Sequence, residues 1–321
     1  MGALMRLVLL LAALALGQHA AIAAAFPDRP IRIVVPFPAN GPDDLVARIV
    51  VPELGRRLGQ KIVIENIAGE DGITGSAVVA RAAPDGYTLL IAPSSHAIHP
   101  ATYSKMPYDT ETAFAPISLL VAEPYVLVVN PSLPVDTVED LIGFAKAHPG
   151  KLRYASAGAG GPAHLGFELL KITTGIDIVH VPYDGGAPAL AAVVSDKAQM
   201  MLAPIISAVP LMREGKLRGL AVSSAHPAAA APGLPTIAQT LPGFTAVAWS
   251  AAFAPAGTPK GVIDRLNTEF DQIVHEPAIA ARFAAIGGEP VGGPAATLTA
   301  LLRAEIPRWI GVAKEAGIHI N

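Results

Sequence analysis

Short apolar runs alternate with segments of helical periodicity over most of the chain, and this alternation limits the possible folds more than any other feature. The first round has strand-like runs at residues 31–36, 61–65 and 87–92. The rhythm restarts near residue 125, with strand-like runs at 125–129, 151–155, 178–181, 199–202 and 217–222. Strands separated by helices are typical of right-handed βαβ units. The pattern therefore predicts an α/β chain with two open, parallel-type sheets flanked by helices.

The last part of the chain is mostly helical. A strand-like run at 245–254 precedes helical patterns at 261–275, 278–286 and 296–315. Because such helices have to pack on an existing sheet, we expect this segment to return to the first α/β unit. The expected division is lobe 1 from 26–123 plus 248–321 and lobe 2 from 124–247, joined by two crossover strands. Two lobes joined in this way indicate a hinged clamshell.

Composition excludes several classes of protein. The 321 residues are 52% hydrophobic and 15% charged, so a disordered chain is ruled out. The formal net charge of -3 offers no basic field for nucleic acid. There is no Cys, which excludes disulfides, thiol catalysis, a Cys-based zinc site and a lipid anchor on cysteine.

The first 25 residues have the pattern of a cleaved secretory signal peptide. Arg6 is followed by an apolar run from 7 to 17 and then by small residues. The run is too short for a transmembrane helix, which needs about 20 apolar residues. We expect cleavage after Ala23, Ala24 or Ala25 and a periplasmic mature protein without a membrane anchor.

Two loops that join a strand to a helix carry the clearest binding signals. The first loop, residues 37–44, is Phe-Pro-Ala-Asn-Gly-Pro-Asp-Asp, and the second, residues 156–161, is Ser-Ala-Gly-Ala-Gly-Gly. Ligands of open α/β sheets bind beyond the carboxyl ends of the strands, and free N–H groups at a helix start attract anions. Neither loop contains Lys or Arg. The pair predicts a cleft that binds an anion through backbone amides and hydroxyls.

Enzyme and metal signatures are weak. Residues 158–163 lack the third glycine of a dinucleotide fingerprint, and no P-loop lysine follows. There is no G-x-S-x-G or H-E-x-x-H motif. His96 and His99 form an H-x-x-H pair without an obvious third ligand, and a serine paired with His164 or His180 stays open. We predict no catalysis, no metal and no cofactor.

Blocks along nearly all of the mature chain resemble the Bug family, the periplasmic solute-binding proteins of tripartite tricarboxylate transporters. They are FPDRPI at 26–31, VPFPA at 35–39, APDGYTLL at 83–90, VNPSLP at 129–134, HVPY at 180–183 and FAPAGTP at 253–259. The resemblance implies a two-lobed periplasmic-binding-protein (Venus-flytrap) fold. It also implies that both loops hold a carboxylate through backbone groups and bridging waters.

The loops, the other strand ends and the resemblance together give the expected ligand-binding residues. These are Phe37, Ala39, Asn40, Gly41, Asp44, Ser94, Ser95, Ser156, Ala157, Gly158, Gly160, Gly161, His164 and Tyr183. Some positions depart from the family's usual pattern. Asp43 stands where Thr or Ser is usual, which adds an acid at an anion site, so it should point away or meet a donor on the ligand.

The expected function is a receptor that captures a small organic carboxylate between the lobes and delivers it to the membrane subunits of a tripartite tricarboxylate-type transporter. A sensor kinase is the alternative partner. A secreted α/β hydrolase or isomerase is the alternative from another class.

Overall fold

The structure is a computed structural model that describes residues 26–320. The expected signal peptide lies outside the described residues. The strands are β1 (Ile31–Val35), β2 (Ile62–Asn66), β3 (Thr88–Pro93), β4 (Phe114–Val129), β5 (Arg153–Ser156), β6 (Val179–Pro182), β7 (Met200–Pro204), β8 (Arg218–Val222), β9 (Val247–Pro255) and β10 (Glu289–Pro290). The helices are α1 (Pro42–Leu58), α2 (Ile73–Ala80), α3 (Ser95–Thr102), α4 (Val138–Ala147), α5 (Pro162–Thr174), α6 (Gly186–Val194), α7 (Ile205–Arg213), α8 (Ile237–Thr240), α9 (Lys260–Val274), α10 (Pro277–Ala285) and α11 (Ala295–Ala316).

The strands form two mixed sheets that share β4. The first sheet has the order β2-β1-β3-β9-β4, and the second continues from β4 through β7 and β5 to β6. β1 pairs in parallel with β2 and β3, and β5 pairs in parallel with β6 and β7. β9 runs antiparallel to β3 and β4, and β4 runs antiparallel to β7 and β8. The βαβ units are thus parallel, as expected, whereas the strands that link the two sheets are antiparallel.

β4 belongs to both sheets because its two ends pair with different strands. Its first part, from Phe114 to Pro124, pairs with β9, and the part from Tyr125 to Val129 pairs with β7 and β8. The chain therefore passes from the first sheet to the second at Pro124 and Tyr125. It returns at the start of β9.

The helices cover these sheets and bury separate apolar clusters. α1, α9 and α10 pack on one face of the first sheet, around Val50, Leu266 and Phe283. The long helix α11 contributes to two clusters. Leu298 and Leu302 pack with the first sheet, and Trp309 and Val312 pack with side chains of the second. The C-terminal helices thus contact the first sheet, and α11 also reaches the second. The residue limits of the two lobes stay a prediction.

Some elements differ from the expected ones. Residues 95–102 form helix α3, where the sequence indicated only a loop, and β4 begins at Phe114 rather than near residue 125. α1 runs through Pro52 as one helix, although the sequence predicts that this proline kinks the helix or shifts its phase. No helix within residues 26–320 is long and apolar enough to cross a membrane.

Candidate functional site

The last residues of the two Gly-rich loops have nearly identical backbone dihedral angles at the start of the helices that follow. Gly41, before α1, has φ -78° and ψ 172°, and Gly161, before α5, has φ -77° and ψ 170°. Proline follows each glycine, and neither helix has a side chain that caps its first turn. The amides in the first turn of α5 therefore remain available to an external acceptor, whereas Asp43 and Asp44 already place negative charge in the first turn of α1.

Asp44 holds the first loop in shape. Its side chain is fully buried, and its Oδ2 accepts hydrogen bonds from the Asn40 amide at 2.8 Å and from Arg48 Nε at 2.6 Å. Asn66 donates to Asp44 Oδ1 at 3.0 Å and to the Phe37 carbonyl at 3.0 Å. Burial alone would raise the pKa of Asp44, but these donors hold it below the usual value. Because both carboxylate oxygens are occupied, Asp44 serves as a support for the loop.

Phe37, Ala39 and Asn40 lie on the accessible part of the first loop. Asn40 has a left-handed φ of 64°, which turns the chain towards α1. The Phe37 ring packs against Gly72, where a Cβ atom would stand 2.9 Å from the ring. A side chain at position 72 would displace Phe37, so glycine is needed there for the ring to reach its place.

His164 and Ser156 hold the second loop from inside. The Gly160 amide donates to His164 Nδ1 at 2.9 Å, and Ser156 Oγ donates to the Gly158 carbonyl at 2.8 Å. The His164 ring stacks on His180 with centroids 3.7 Å apart. Burial lowers the pKa of both His164 and His180 to about 4, so both rings are neutral at pH 7. Gly158 and Gly160 have φ of 150° and 77°, which keep the loop tight.

Ser156 and His180 form the pair that could suggest a hydrolase, since Ser156 Oγ lies 2.7 Å from His180 Nε2. The Ser156 side chain is only 1% exposed. The donor and acceptor in this contact depend on the His180 tautomer. When Ser156 donates to the Gly158 carbonyl, His180 Nε2 donates to Ser156 Oγ and is then not a general base for that hydroxyl. The arrangement fits a structural contact.

Tyr183 begins the loop after β6. Its amide donates to the Ser156 carbonyl at 3.0 Å, and its ring packs against the apolar cluster around Val126 and Ala189. Tyr183 therefore links its loop to the second loop. Ala157 and Ala159 are exposed on the second loop.

Three serine side chains are buried beside the first loop, and the hydroxyls of Ser94 and Ser95 have no hydrogen-bond partner within residues 26–320. Ser94 and Ser95 follow β3 and are 2% and 7% exposed, and Ser250 on β9 is fully buried. Ser250 pairs across the ladder with Pro93, the residue before Ser94. Buried hydroxyls normally have partners, so two adjacent ones without a partner are typical of a place where a ligand or water binds.

Two partly buried carboxyl groups, those of Asp43 and Glu123, are close enough for the Asp43 charge to raise the pKa of Glu123. Asp43 lies in the first turn of α1, and Glu123 lies on β4 just before the chain enters the second sheet. Burial raises the pKa of Asp43 to about 7, and the Asp71 charge adds to this, while the Ser250 hydroxyl and the backbone amide of Asp43 act in the opposite direction. Burial also raises the pKa of Glu123 to about 7, with a further rise from Asp43. Burial, Glu123 and Asp43 raise the pKa of the Tyr125 hydroxyl.

His96 and His99 do not form a metal site. The His96 ring is buried among Tyr108, Phe114 and Phe253, and His99 Nε2 lies 3.3 Å from Asp71 Oδ2. Within residues 26–320, no group of three or more His, Asp or Glu side chains is arranged to hold a metal ion.

A model of the TctC family, the tripartite tricarboxylate transporter family receptor, matches residues 46–318. This chain belongs to the TctC family. The match includes the second loop and begins after the first. Protein BugT of Bordetella pertussis is 35% identical over 302 residues, which cover 93% of this chain and 93% of BugT. The resemblance to Bug proteins is thereby confirmed.

Solved structures of TctC-type proteins have the same fold. R. palustris Rpa4515 with adipate is 36% identical, with a TM-score of 0.76 over 92% of this chain and 100% of Rpa4515. MatC (Rpa3494) of Rhodopseudomonas palustris with bound malate is 33% identical, with a TM-score of 0.72 over 90% and 100%. The periplasmic binding protein BugD is 31% identical, with a TM-score of 0.73 over 92% and 100%. The expected two-lobed α/β fold of a periplasmic binding protein is confirmed.

Sequence reasoning missed Glu123, Tyr125 and Ser250 as neighbours of the first loop. Glu123 pairs with Ala248 in the β4–β9 ladder, so its side chain is on the same face as that of Ser250, two residues along β9. This register joins segments more than 120 residues apart, and no local motif indicates it. Trp249, which lies between Ala248 and Ser250 on β9, points to the other face, where its Nε1 donates to Glu305 Oε2 at 2.8 Å.

Proposed function

We propose that the protein is a periplasmic receptor that captures a small organic carboxylate in the cleft between the first and second loops. The observation that carries this proposal is the helix start at Gly161, whose first turn has neither a side-chain cap nor an acidic residue. Such a helix end offers amide donors and a positive dipole end to an anion. Adipate and malate in the TctC-type structures support a carboxylate as the ligand class.

Delivery to the membrane subunits of a tripartite tricarboxylate-type transporter is the second part of the proposal. It is supported by the family's description as a transporter receptor. The expected receptor closes its lobes on the ligand, and the membrane subunits bind the closed form. A sensor kinase that binds the closed form is the alternative partner. The receptor itself leaves its ligand chemically unchanged.

Thermal unfolding with a panel of carboxylates tests the binding role. The mature protein, unfolded and refolded to remove co-purified ligand, is melted with mono-, di- and tricarboxylates. A ligand at 100 times its Kd stabilises the folded state by about 2.7 kcal/mol. Chromatography after incubation should recover the compound intact. No stabilisation by any carboxylate would contradict the receptor, and turnover of the compound would favour the hydrolase or isomerase alternative.

A further inference from the structure

Four consecutive residues between β2 and α2 have positive φ angles, and they are called here the left-handed turn (residues 69–72). Their φ values are 145°, 48°, 53° and 93°, in order along the chain. The two middle residues, Glu70 and Asp71, have side chains, for which this conformation is unfavourable. Backbone strain of this kind persists only where neighbouring groups hold it, and it is concentrated at ligand sites. The groups that hold the turn therefore indicate its role.

One end of the left-handed turn lies against the first loop. A Cβ atom at Gly72 would stand 2.9 Å from Phe37 Cε2 and 3.5 Å from Pro36 Cβ, so the turn and the Phe37 ring are in direct contact. Asn66, the last residue of β2, donates to the Phe37 carbonyl at 3.0 Å. β2 and the turn that follows it thus hold both the backbone and the ring of Phe37.

The middle of the left-handed turn is bonded to helix α3. Asp71 Oδ2 lies 3.3 Å from Nε2 of His99, a residue that is only 2% exposed. An ionised carboxylate can only accept a hydrogen bond, so His99 Nε2 is the donor. α3 begins at Ser95, and this bond therefore connects the turn to the helix whose start carries the two buried hydroxyls without a partner.

From these contacts we propose that Asp71 and His99 are positioning residues for the carboxylate site. Their hydrogen bond keeps the left-handed turn in its strained conformation, and the turn keeps Gly72 against the Phe37 ring. The ring then has one place in the cleft, which favours binding because less conformational freedom is lost when the ligand arrives. Both residues act through Phe37 rather than by contact with the ligand. The inference rests on the proposed carboxylate-binding function and deepens it.

Two substitutions at position 71 separate the hydrogen bond from the strain. Asp71→Asn tolerates the left-handed backbone and keeps an oxygen acceptor for His99. Asp71→Gly relieves the strain and removes the acceptor. Isothermal titration of the stripped mature protein uses whichever of acetate, malate, adipate and citrate binds the wild type most tightly. Asp71→Gly should weaken this binding by about tenfold, whereas Asp71→Asn should stay close to the wild type.

Hydrogen exchange of the free protein gives a second readout that needs no ligand. Amides of the first loop should exchange faster in Asp71→Gly than in Asp71→Asn or the wild type. Asp196→Gly is the matched control, because Asp196 also has a left-handed φ, of 60°, and its carboxylate accepts from Gln199 at 3.1 Å. Asp196 lies between α6 and β7, and its replacement should change neither the exchange of the first loop nor the affinity.

Substitutions of His99 test the other partner of the hydrogen bond. His99→Gln keeps an N–H donor, whereas His99→Leu has none. His99→Leu should therefore weaken binding as Asp71→Gly does, and His99→Gln should restore much of the loss. In the double variant Asp71→Gly/His99→Leu the two losses should not add, because one hydrogen bond is removed in each case. Circular dichroism and thermal melting show that each variant is folded.

The outcomes separate the two proposals. Unchanged exchange of the first loop, or unchanged carboxylate affinity, in folded Asp71→Gly would overturn the positioning role and leave the carboxylate receptor intact. An equal loss in Asp71→Asn, or losses that add in the double variant, would overturn the role of the hydrogen bond. If no carboxylate binds the wild type, the receptor itself fails and the positioning inference fails with it.

Discussion

Asp43 shows how one residue can change the chemistry of a helix start. The amides at the start of α1 would suit an anion, yet Asp43 places a carboxyl group there, near Glu123 and the Ser250 hydroxyl. Asp44, the next residue, is fully occupied by Asn40, Arg48 and Asn66. The two adjacent acids thus have different surroundings, because Asp44 has hydrogen-bond donors for both oxygens, whereas the charge of Asp71 acts on Asp43.

The raised pKa of Asp43 predicts the sign of a pH effect on stability. The folded state holds the Asp43 proton more tightly than the unfolded state, so this group's contribution is intact below about pH 4 and is lost as the pH rises through about 7. Asp43→Asn removes that loss. The unfolding free energy of the variant minus that of the wild type should therefore rise by at least about 1 kcal/mol between pH 4.5 and pH 8. Urea unfolding at the two pH values measures the change.

Glu123 is a second titrating group at this position, and Asp71, Tyr125 and Ser250 also face Asp43. The same experiment on Glu123→Gln should therefore show the same sign. Asp264→Asn serves as the control for the loss of an exposed carboxylate. If the difference in unfolding free energy between Asp43→Asn and the wild type stays constant across the pH range, burial does not raise the pKa of Asp43.

At the scale of elements, the start of α5 offers a test in which stability and affinity change in opposite directions. Gly161 has the extended backbone of an ordinary N-cap residue, and a Cβ atom there would have its nearest neighbour 4.0 Å away. In Gly161→Asp, the carboxylate can cap α5 and should stabilise the free protein by about 0.3–1 kcal/mol. The same carboxylate competes with the ligand for the amides and repels it. We expect a loss of carboxylate affinity of at least tenfold, measured by titration.

Pro294→Asp is the matched control. Pro294 is the exposed N-cap residue of α11, and it lies far from both loops in the sequence. It should leave ligand affinity unchanged. Unaltered affinity in folded Gly161→Asp would show that the ligand does not use the start of α5.

Local sequence patterns predicted most of the elements and both loops, because hydrophobic periodicity and Gly-Pro turns act within a few residues. Helix α3 was not predicted, because its eight residues include Pro100 and two histidines and therefore lack the apolar spacing typical of a helix. The first part of β4 was missed because Pro116 and Pro124 interrupt it. Glu123 and Ser250 could not be placed, because their proximity to Asp43 depends on the β4–β9 register.

At the scale of the whole molecule, the C-terminal residues connect α3 to the second loop. The Ile320 amide donates to the Thr102 carbonyl at 2.6 Å, and a Cβ atom at Gly160 would stand 2.3 Å from Ile320 Cδ1. Ile320→Ala removes the side chain that lies against Gly160. Since Ile320 is only partly buried, the unfolding free energy should fall by about 1 kcal/mol, less than for a core isoleucine.

Hydrogen exchange provides the local readout for this contact. Amides of the second loop should exchange faster in Ile320→Ala, because the loop loses the side chain that packs against it. Ile310→Ala, at an isoleucine that is 41% exposed on α11, is the control and should leave the loop unchanged. Equal exchange in both variants would show that Ile320 does not restrain the second loop.

The position of β9 has a consequence for the order in which the protein is assembled. β9 lies between β3 and β4 in the middle of the first sheet, although it leaves the ribosome after the whole second sheet has been made. Until β9 arrives, β3 and β4 are left with unpaired edges, which are sites for aggregation. Closing this sheet joins residues separated by more than 120 positions, and contacts of such high sequence separation form slowly. A chain that ended before residue 247 would therefore leave the facing edges of β3 and β4 open to pairing with another molecule.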